Sequence, residues 1–265
     1  EQALSQQYLA DESVFSRSMI AVAQWGNDTQ GSGWIGRPLP TELAGSVPKP
    51  FRTVAAALKV APENATIVVY PGRYTECGQT LQGSEHGQHL IAAFFGSILH
   101  SDPTAATHFV CSREGKPFLL LHNTRITLTG FLIHGSNSAG LVIQGGEVGL
   151  NHMSITNCSH PHGGGALRIT QAASVSIKSL TLDSCTSTTG GGLYIEGSKL
   201  DVHAQAVVPS VVRRCNSSVG GGLACHNCTV HGASLLQVTG CTARFGGGAA
   251  VSGASSITSL TLRGN

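Results

Sequence analysis

Cys225-His226-Asn227-Cys228, followed by His231, gathers two thiols and two imidazoles within one short stretch. Thiolate sulfur and imidazole nitrogen are ligands zinc prefers. The stretch therefore reads as part of a zinc site, as a short-range disulfide on an outward turn, or as two strand residues. A closed zinc site needs four ligands in tetrahedral reach, and no second ligand pair stands at a suitable spacing. Zinc ranks below the other two readings, and no metal or other cofactor is expected. His160-Pro161-His162 is a second imidazole pair, and it reads as a surface turn. Sugar chemistry would need paired carboxylates, or carboxylates holding calcium beside a basic side chain. Only 14 of the 265 residues are Asp or Glu, so such a pair has to be sought at matched positions of the element that carries it.

That element is a repeat. Triple-glycine blocks begin at Gly163, Gly190, Gly220 and Gly246, and each follows a cysteine by five residues: Cys158, Cys185, Cys215 and Cys241. Three residues before the cysteines stand Ile155, Leu182, Val212 and Val238; five before stand Met153, Leu180, Ser210 and Leu236. Successive copies are 27, 30 and 26 residues apart. Asn265 takes the cysteine position 24 residues after Cys241, and Ser136 takes it 22 residues before Cys158. Acids do not follow this repeat. The equivalents of Asp183 are Thr156, Arg213 and Thr239; those of Glu196 are Ile169 or Thr170, His226 and Ser252. No carboxylate pair emerges, and no catalytic residue is assigned.

Alternation of period two with β-branched residues makes each piece a strand of about three to six residues. Three strands with their turns form one coil, which cannot bury its inner face alone, so neighbouring coils stack with strands in parallel. The expected fold is all-β: a right-handed, single-stranded parallel β-helix. Glycines belong where the backbone turns with positive φ. Cys158, Cys185, Cys215, Cys241 and Asn265 are expected to form one inward ladder. Stacked coils sit roughly 4.8 Å apart, a Cα spacing compatible with a disulfide, but parallel Cβ vectors orient the sulfurs badly. Free thiols packed as small hydrophobes are preferred over bridges between coils. Cys77 with Cys111 is expected to staple early coils, and Cys225 with Cys228 is the remaining pair.

Residues 1–52 read as an N-terminal extension and lead-in, and residues 53–265 as the β-helix, with the Cys/Gly repeats over 153–265. Thr53 is suited to cap a short helix over 53–61, with Val54, Ala57 and Leu58 facing inward. Such a helix laid across the end of a solenoid covers its unpaired edges. A buried strand and turn follow in Thr66-Ile67-Val68-Val69-Tyr70-Pro71-Gly72. Residues 26–76 resemble the opening of pectate-lyase-like β-helix proteins, on Pro50-Phe51-Arg52-Thr53, Ala57-Leu58, Val69-Tyr70-Pro71-Gly72-Arg73-Tyr74 and Glu76. Residues 153–265 resemble the repeats of polymorphic membrane protein autotransporter adhesins, on Gly164-Gly165-Ala166-Leu167 and Leu262-Arg263-Gly264-Asn265. Cysteine replaces that family's asparagine in four copies. The first resemblance implies the fold and admits lyases, esterases and adhesins alike; the second implies an adhesive surface module.

Eight cysteines and five sequons, at Asn27, Asn64, Asn157, Asn216 and Asn227, point to a secreted or cell-surface glycoprotein. A formal charge of +2 with only 11% charged residues leaves no basic stripe for nucleic acid. No apolar stretch reaches the roughly 18 residues of a membrane span. With aromatics at 5%, and Trp25 and Trp34 both before the first coil, no sugar-stacking row is apparent. The expected function is a non-catalytic structural or adhesive module of a surface, matrix or filament protein; the alternative is a polysaccharide-active lyase, hydrolase or epimerase. Expected partners are further coils or copies of the same protein, and extracellular glycans or surface proteins. The repeat breaks off after a strand over 259–263, which reads as one continued by more coils or met by a partner chain.

Overall fold

A computed structural model describes residues 19–24, 26–29, 50–62, 64–82, 88–92, 106–111, 116–135, 137, 139–171, 173–203, 209–258 and 260–265. Trp25, Trp34, Ser136, Ser259 and most of the lead-in segment lie outside the described residues.

The chain is a parallel β-solenoid. Its strands stack on three faces, and every strand pairing is parallel, as the alternating apolar pattern requires. The first face runs from Met19–Val22 through Thr66–Val69 and Gln88–Ala92 to Lys199–Val202, Thr229–His231 and Ser256–Ile257. The second runs from Gly72–Tyr74 through Thr107–Val110 and Phe131–His134 to Ser210–Arg213, Leu236–Thr239 and Thr261–Arg263. The third runs from Gln79–Gln82 through Leu167–Thr170, Leu193–Glu196 and Leu223–His226 to Ala249–Ser252. Three longer strands, Leu119–Thr129, Leu141–Thr156 and Ser174–Asp183, turn a corner without breaking. Their corners lie at Asn123, at Gly145-Gly146 and His152, and at Ser179, all with positive φ. A narrow fourth ladder follows the cysteines: Ser159–His160, Thr186–Ser187, Asn216–Val219 and Thr242–Phe245.

Because the coils are in register, like residues stack on like. On the second face Phe109, Ile133, Ile155, Leu182, Val212 and Val238 form one buried column. Ser210 interrupts the neighbouring column between Leu180 and Leu236, yet it is buried, and its hydroxyl accepts the Leu180 amide at 3.1 Å. Phe109 meets Phe118 at 4.1 Å and Phe131 at 5.6 Å between ring centroids, filling the wider early coils. At the last described coil the inward positions of Val251 and Leu262 are about half exposed, at 53% and 50%. No described helix is long and apolar enough to cross a membrane.

The helix is Val54–Val60, with Thr53 as its N-cap. Thr53 Oγ1 accepts the Ala56 amide at 3.1 Å. Asp28 accepts the Arg52 and Thr53 amides at 2.8 and 2.9 Å, and Glu76 accepts those of Val54 and Ala55 at 2.8 and 3.3 Å. The amides that a helix start leaves unpaired thus find side-chain acceptors. Val54 and Ala57 are buried, while Leu58 is partly exposed. Strand Met19–Val22 lies inside the segment read as an extension, and it pairs with Thr66–Val69 as the earliest described strand of the first face.

Candidate functional site

Cys158, Cys185, Cys215 and Cys241 are buried thiols outside the disulfides, and each follows a residue in the left-handed region: Asn157, Ser184, Arg214 and Gly240. That corner points the side chain inward. The Cys158 amide donates to Cys185 Sγ one coil on, at 3.4 Å. Each thiol faces the carbonyl two residues earlier, at 3.2 Å for Cys185 and 3.3 Å for Cys215. Cys241 Sγ also lies 3.7 Å from Val212 O of the coil before. Asn265 makes the same contacts with an amide: Oδ1 accepts the Cys241 amide at 2.8 Å, and Nδ2 donates to Val238 O at 2.9 Å. Hydrogen bonding with the thiol one coil back, together with burial, pushes Cys185 and Cys215 up to about 12 and raises Cys241 as well. Such thiols stay protonated and chemically quiet.

The glycines explain why cysteine recurs. A Cβ on Gly192 would sit 2.5 Å from Val212 Cγ1 and 3.2 Å from Cys215 Sγ; one on Gly222 would meet Cys241 Sγ at 3.1 Å. The third glycine of one coil makes room for the ladder residue of the next. In the first copy the matching residues are Gly164-Gly165-Ala166, not Gly163-Gly164-Gly165, because Leu167 stacks on Leu193. That coil holds one extra residue between its cysteine and its third-face strand.

Cys77–Cys111 and Cys225–Cys228 are disulfides, each with Cα atoms 5.7 Å apart. The second is not on an outward turn. Cys225 stacks between Ile195 and Val251 in an inward column, and both its sulfurs' residues are buried. His226 Nδ1 lies 3.0 Å from Ser252 Oγ. Among the described residues no three His, Cys, Asp or Glu side chains gather as a metal site would require. All five sequon asparagines are exposed. Asn227 Oδ1 accepts the Ala254 amide at 2.9 Å and its Nδ2 lies 3.0 Å from His226 Nε2, while Asn27 Oδ1 accepts the Thr29 amide at 2.9 Å and the Thr29 hydroxyl at 2.8 Å.

Outward charges pair along the coils. Asp183, with 7% of its side chain exposed, is held by Arg213 Nε at 2.9 Å, Arg214 Nε at 2.8 Å and the Ser184 hydroxyl at 2.9 Å. Burial pushes its pKa up, but the bonds from Arg214 and Ser184 and the Arg213 charge outweigh it and hold the carboxyl below the usual range. Arg125 pairs with its register partner Glu147 at 3.3 Å, and Lys199 with Asp201 at 3.0 Å.

The extra residue of the first copy swells the turn that carries His160-Pro161-His162. Thr188 Oγ1 pins that turn by donating to Pro161 O at 2.6 Å, and the His162 amide donates to His160 Nδ1 at 3.3 Å. Gly163 lies against the Tyr194 ring, where a Cβ would stand 3.1 Å from Cγ. Arg168, the register partner of Tyr194, places its guanidinium 5.5 Å from the ring centroid. Its Nε is buried without a hydrogen-bond partner. The Tyr194 hydroxyl donates to Glu196 Oε2 at 3.0 Å. Burial first, then the Arg168 charge, lowers the His160 pKa, so this imidazole is neutral at neutral pH. Sequence reading left these residues as a turn and an isolated acid. Stacking across coils, which has no local signature, is what joins them.

No protein family, curated protein or solved structure matches the chain.

Proposed function

We propose that the chain is an extracellular, non-catalytic scaffold: a rigid solenoid rod that serves as a structural or adhesive module of a surface, matrix or filament protein. One observation carries this reading. The outward acids of the strands are engaged with neighbours: Asp183 with two arginines, Glu147 with Arg125, Asp201 with Lys199, and Glu196 with Tyr194. An acid or base must be able to meet a substrate proton, and a buried carboxylate held by two arginines, as Asp183 is, is poorly placed to do so. Two disulfides and five exposed sequon asparagines support the extracellular part. The likeness of residues 153–265 to autotransporter adhesin repeats supports a surface role. A second reading, a polysaccharide-active enzyme, draws on His160, which feels the charge of the Arg168 guanidinium that lies over the Tyr194 ring.

Secretion of the chain from eukaryotic cells tests the proposal. The expected product carries glycans removable by an amidase and releases neither reducing ends nor unsaturated sugars from uronate polymers. Turnover of any such polymer above that of a His160→Ala, Tyr194→Phe variant overturns it.

A further inference from the structure

We infer that the sequons are not equivalent: Asn157 and Asn216 carry the glycans of the Cys/Gly repeats, whereas Asn227 is a structural asparagine that stays bare. The inference rests on the extracellular reading and says which corner of the solenoid the glycans cover.

Asn227 stands at the corner between the third and first faces. Its backbone is left-handed, with φ 47°, and the Cys225–Cys228 disulfide closes around it and His226. Both ends of its side-chain amide are held. Oδ1 accepts the Ala254 amide of the next coil at 2.9 Å, and Nδ2 lies 3.0 Å from His226 Nε2. The oxygen is seated so closely that a Cβ on Gly253 would stand 2.1 Å from it. A glycan turns Nδ2 into a secondary amide, whose favoured trans form sets the sugar carbon on the oxygen's side of the C–N bond. On Asn227 that oxygen already lies against Gly253 and Ala254, so a sugar beside it and the native corner compete for one space.

The same corner shows the structural role without a sequon. Four coils earlier in register stands Asn123, with φ 50°. Its Nδ2 lies 3.5 Å from His122 Nε2, and a Cβ on Gly145 of the next coil would stand 2.0 Å from its Oδ1. Asn123-Thr124-Arg125 is no acceptor for a glycan. Asparagine serves this corner because it tolerates the left-handed region and brings a side-chain carbonyl to the backbone of the next coil.

Asn157 and Asn216 sit elsewhere, at the corner between the second face and the fourth ladder. One directly precedes Cys158 and the other directly follows Cys215, two coils apart, or roughly 10 Å at the spacing of stacked strands. Asn216 makes no side-chain hydrogen bond among the described residues, and Asn157 Nδ2 has only a long contact, 3.4 Å, with His134 Nδ1. Their sequon hydroxyls, on Ser159 and Ser218, belong to exposed residues, whereas Thr229 is half-buried. Neither asparagine holds a backbone amide of another coil among the described residues, so a glycan on either displaces no such bond.

Glycopeptide mapping of the full chain secreted from eukaryotic cells tests this. Glycan is expected on Asn157 and Asn216, and Asn227 is expected unmodified. Ser159→Ala and Ser218→Ala should each remove one glycan; Thr229→Ala, which deletes the third sequon but keeps Asn227, should remove none. Asn227→Ala and Asn123→Ala should each lower the thermal midpoint by about 2–4 °C. Asn227→Asp, which keeps the acceptor oxygen and deletes the sequon, should lower it less. A glycan on Asn227, or an unchanged midpoint in Asn227→Ala, overturns the inference and leaves the scaffold reading standing. Asn157 or Asn216 found bare overturns it as well, and carbohydrate on none of the five sequons overturns the extracellular reading with it.

Discussion

At the scale of single residues, the ladder converts one positional rule into a hydrogen-bonding and a packing condition. Asn265 shows what the position asks for: an acceptor for the amide one coil back and a donor for a carbonyl of that coil. A thiol does both weakly. Cys215→Asn should therefore be tolerated within about 1 kcal/mol. Cys215→Ala should cost about 1–3 kcal/mol by leaving the ladder unsatisfied and a small void. Urea unfolding of the two variants checks the order. The thiols also set an alkaline limit. Their folded pKa lies near 12 for Cys185 and Cys215, above the ordinary 9.0. Stability from them is full below the ordinary value and is lost as pH rises through the folded one. Midpoints measured from pH 8 to 12 should fall, and replacing both by Asn should flatten the fall. The cysteine spacing made this ladder legible from the sequence. The left-handed residues before it were not, because Arg214, Ser184 and Asn157 give no common signal for that backbone region.

At the scale of elements, the triple glycines and the capping helix do opposite work, one permitting close approach and the other closing an end. A Cβ on Gly191 would meet Gly221 O at 2.4 Å and Asn216 O at 2.5 Å, both backbone atoms of the next coil. Gly191→Ala should cost about 2–4 kcal/mol, whereas Gly197→Ala, with open space around its Cβ position, should cost less despite its positive φ. Thermal unfolding of the pair checks the contrast. Thr53→Ala should cost about 1 kcal/mol through the lost cap, and hydrogen exchange should show the loss at Ala56 first. The helix was readable from Thr53 and its apolar spacing. The acceptors Asp28 and Glu76 were not, since each lies more than twenty residues from the amides it serves. The one-residue shift that places Ala166, not a glycine, over the Cys185 position was hidden for a related reason. Counting from Cys158 gave the right number of glycines at the wrong stacking position.

At the scale of the whole molecule, the strict repeat over 153–265 revealed the architecture, and the earlier coils had to be found by stacking. Gly72–Tyr74 and Thr107–Val110 carry no glycine triplet, and Phe131–His134 keeps only the apolar spacing, with Phe131 and Ile133 five and three residues before Ser136. What unites them is a common inner column of aromatic and aliphatic side chains, a non-local condition. The contact of Arg168 with Tyr194 was invisible for the same reason, since the two meet only when neighbouring coils are superposed. The account as a whole depends on that superposition, with four cysteine thiols in one buried column and the other four cysteines in two disulfides. Alkylation mapped by mass spectrometry, without reduction, tests it most directly. In the native protein no cysteine should be labelled; after unfolding, Cys158, Cys185, Cys215 and Cys241 should all be labelled and Cys77, Cys111, Cys225 and Cys228 should remain paired. Label on any of the first four in the native state, or a disulfide joining two of them, would contradict the ladder and the register built on it.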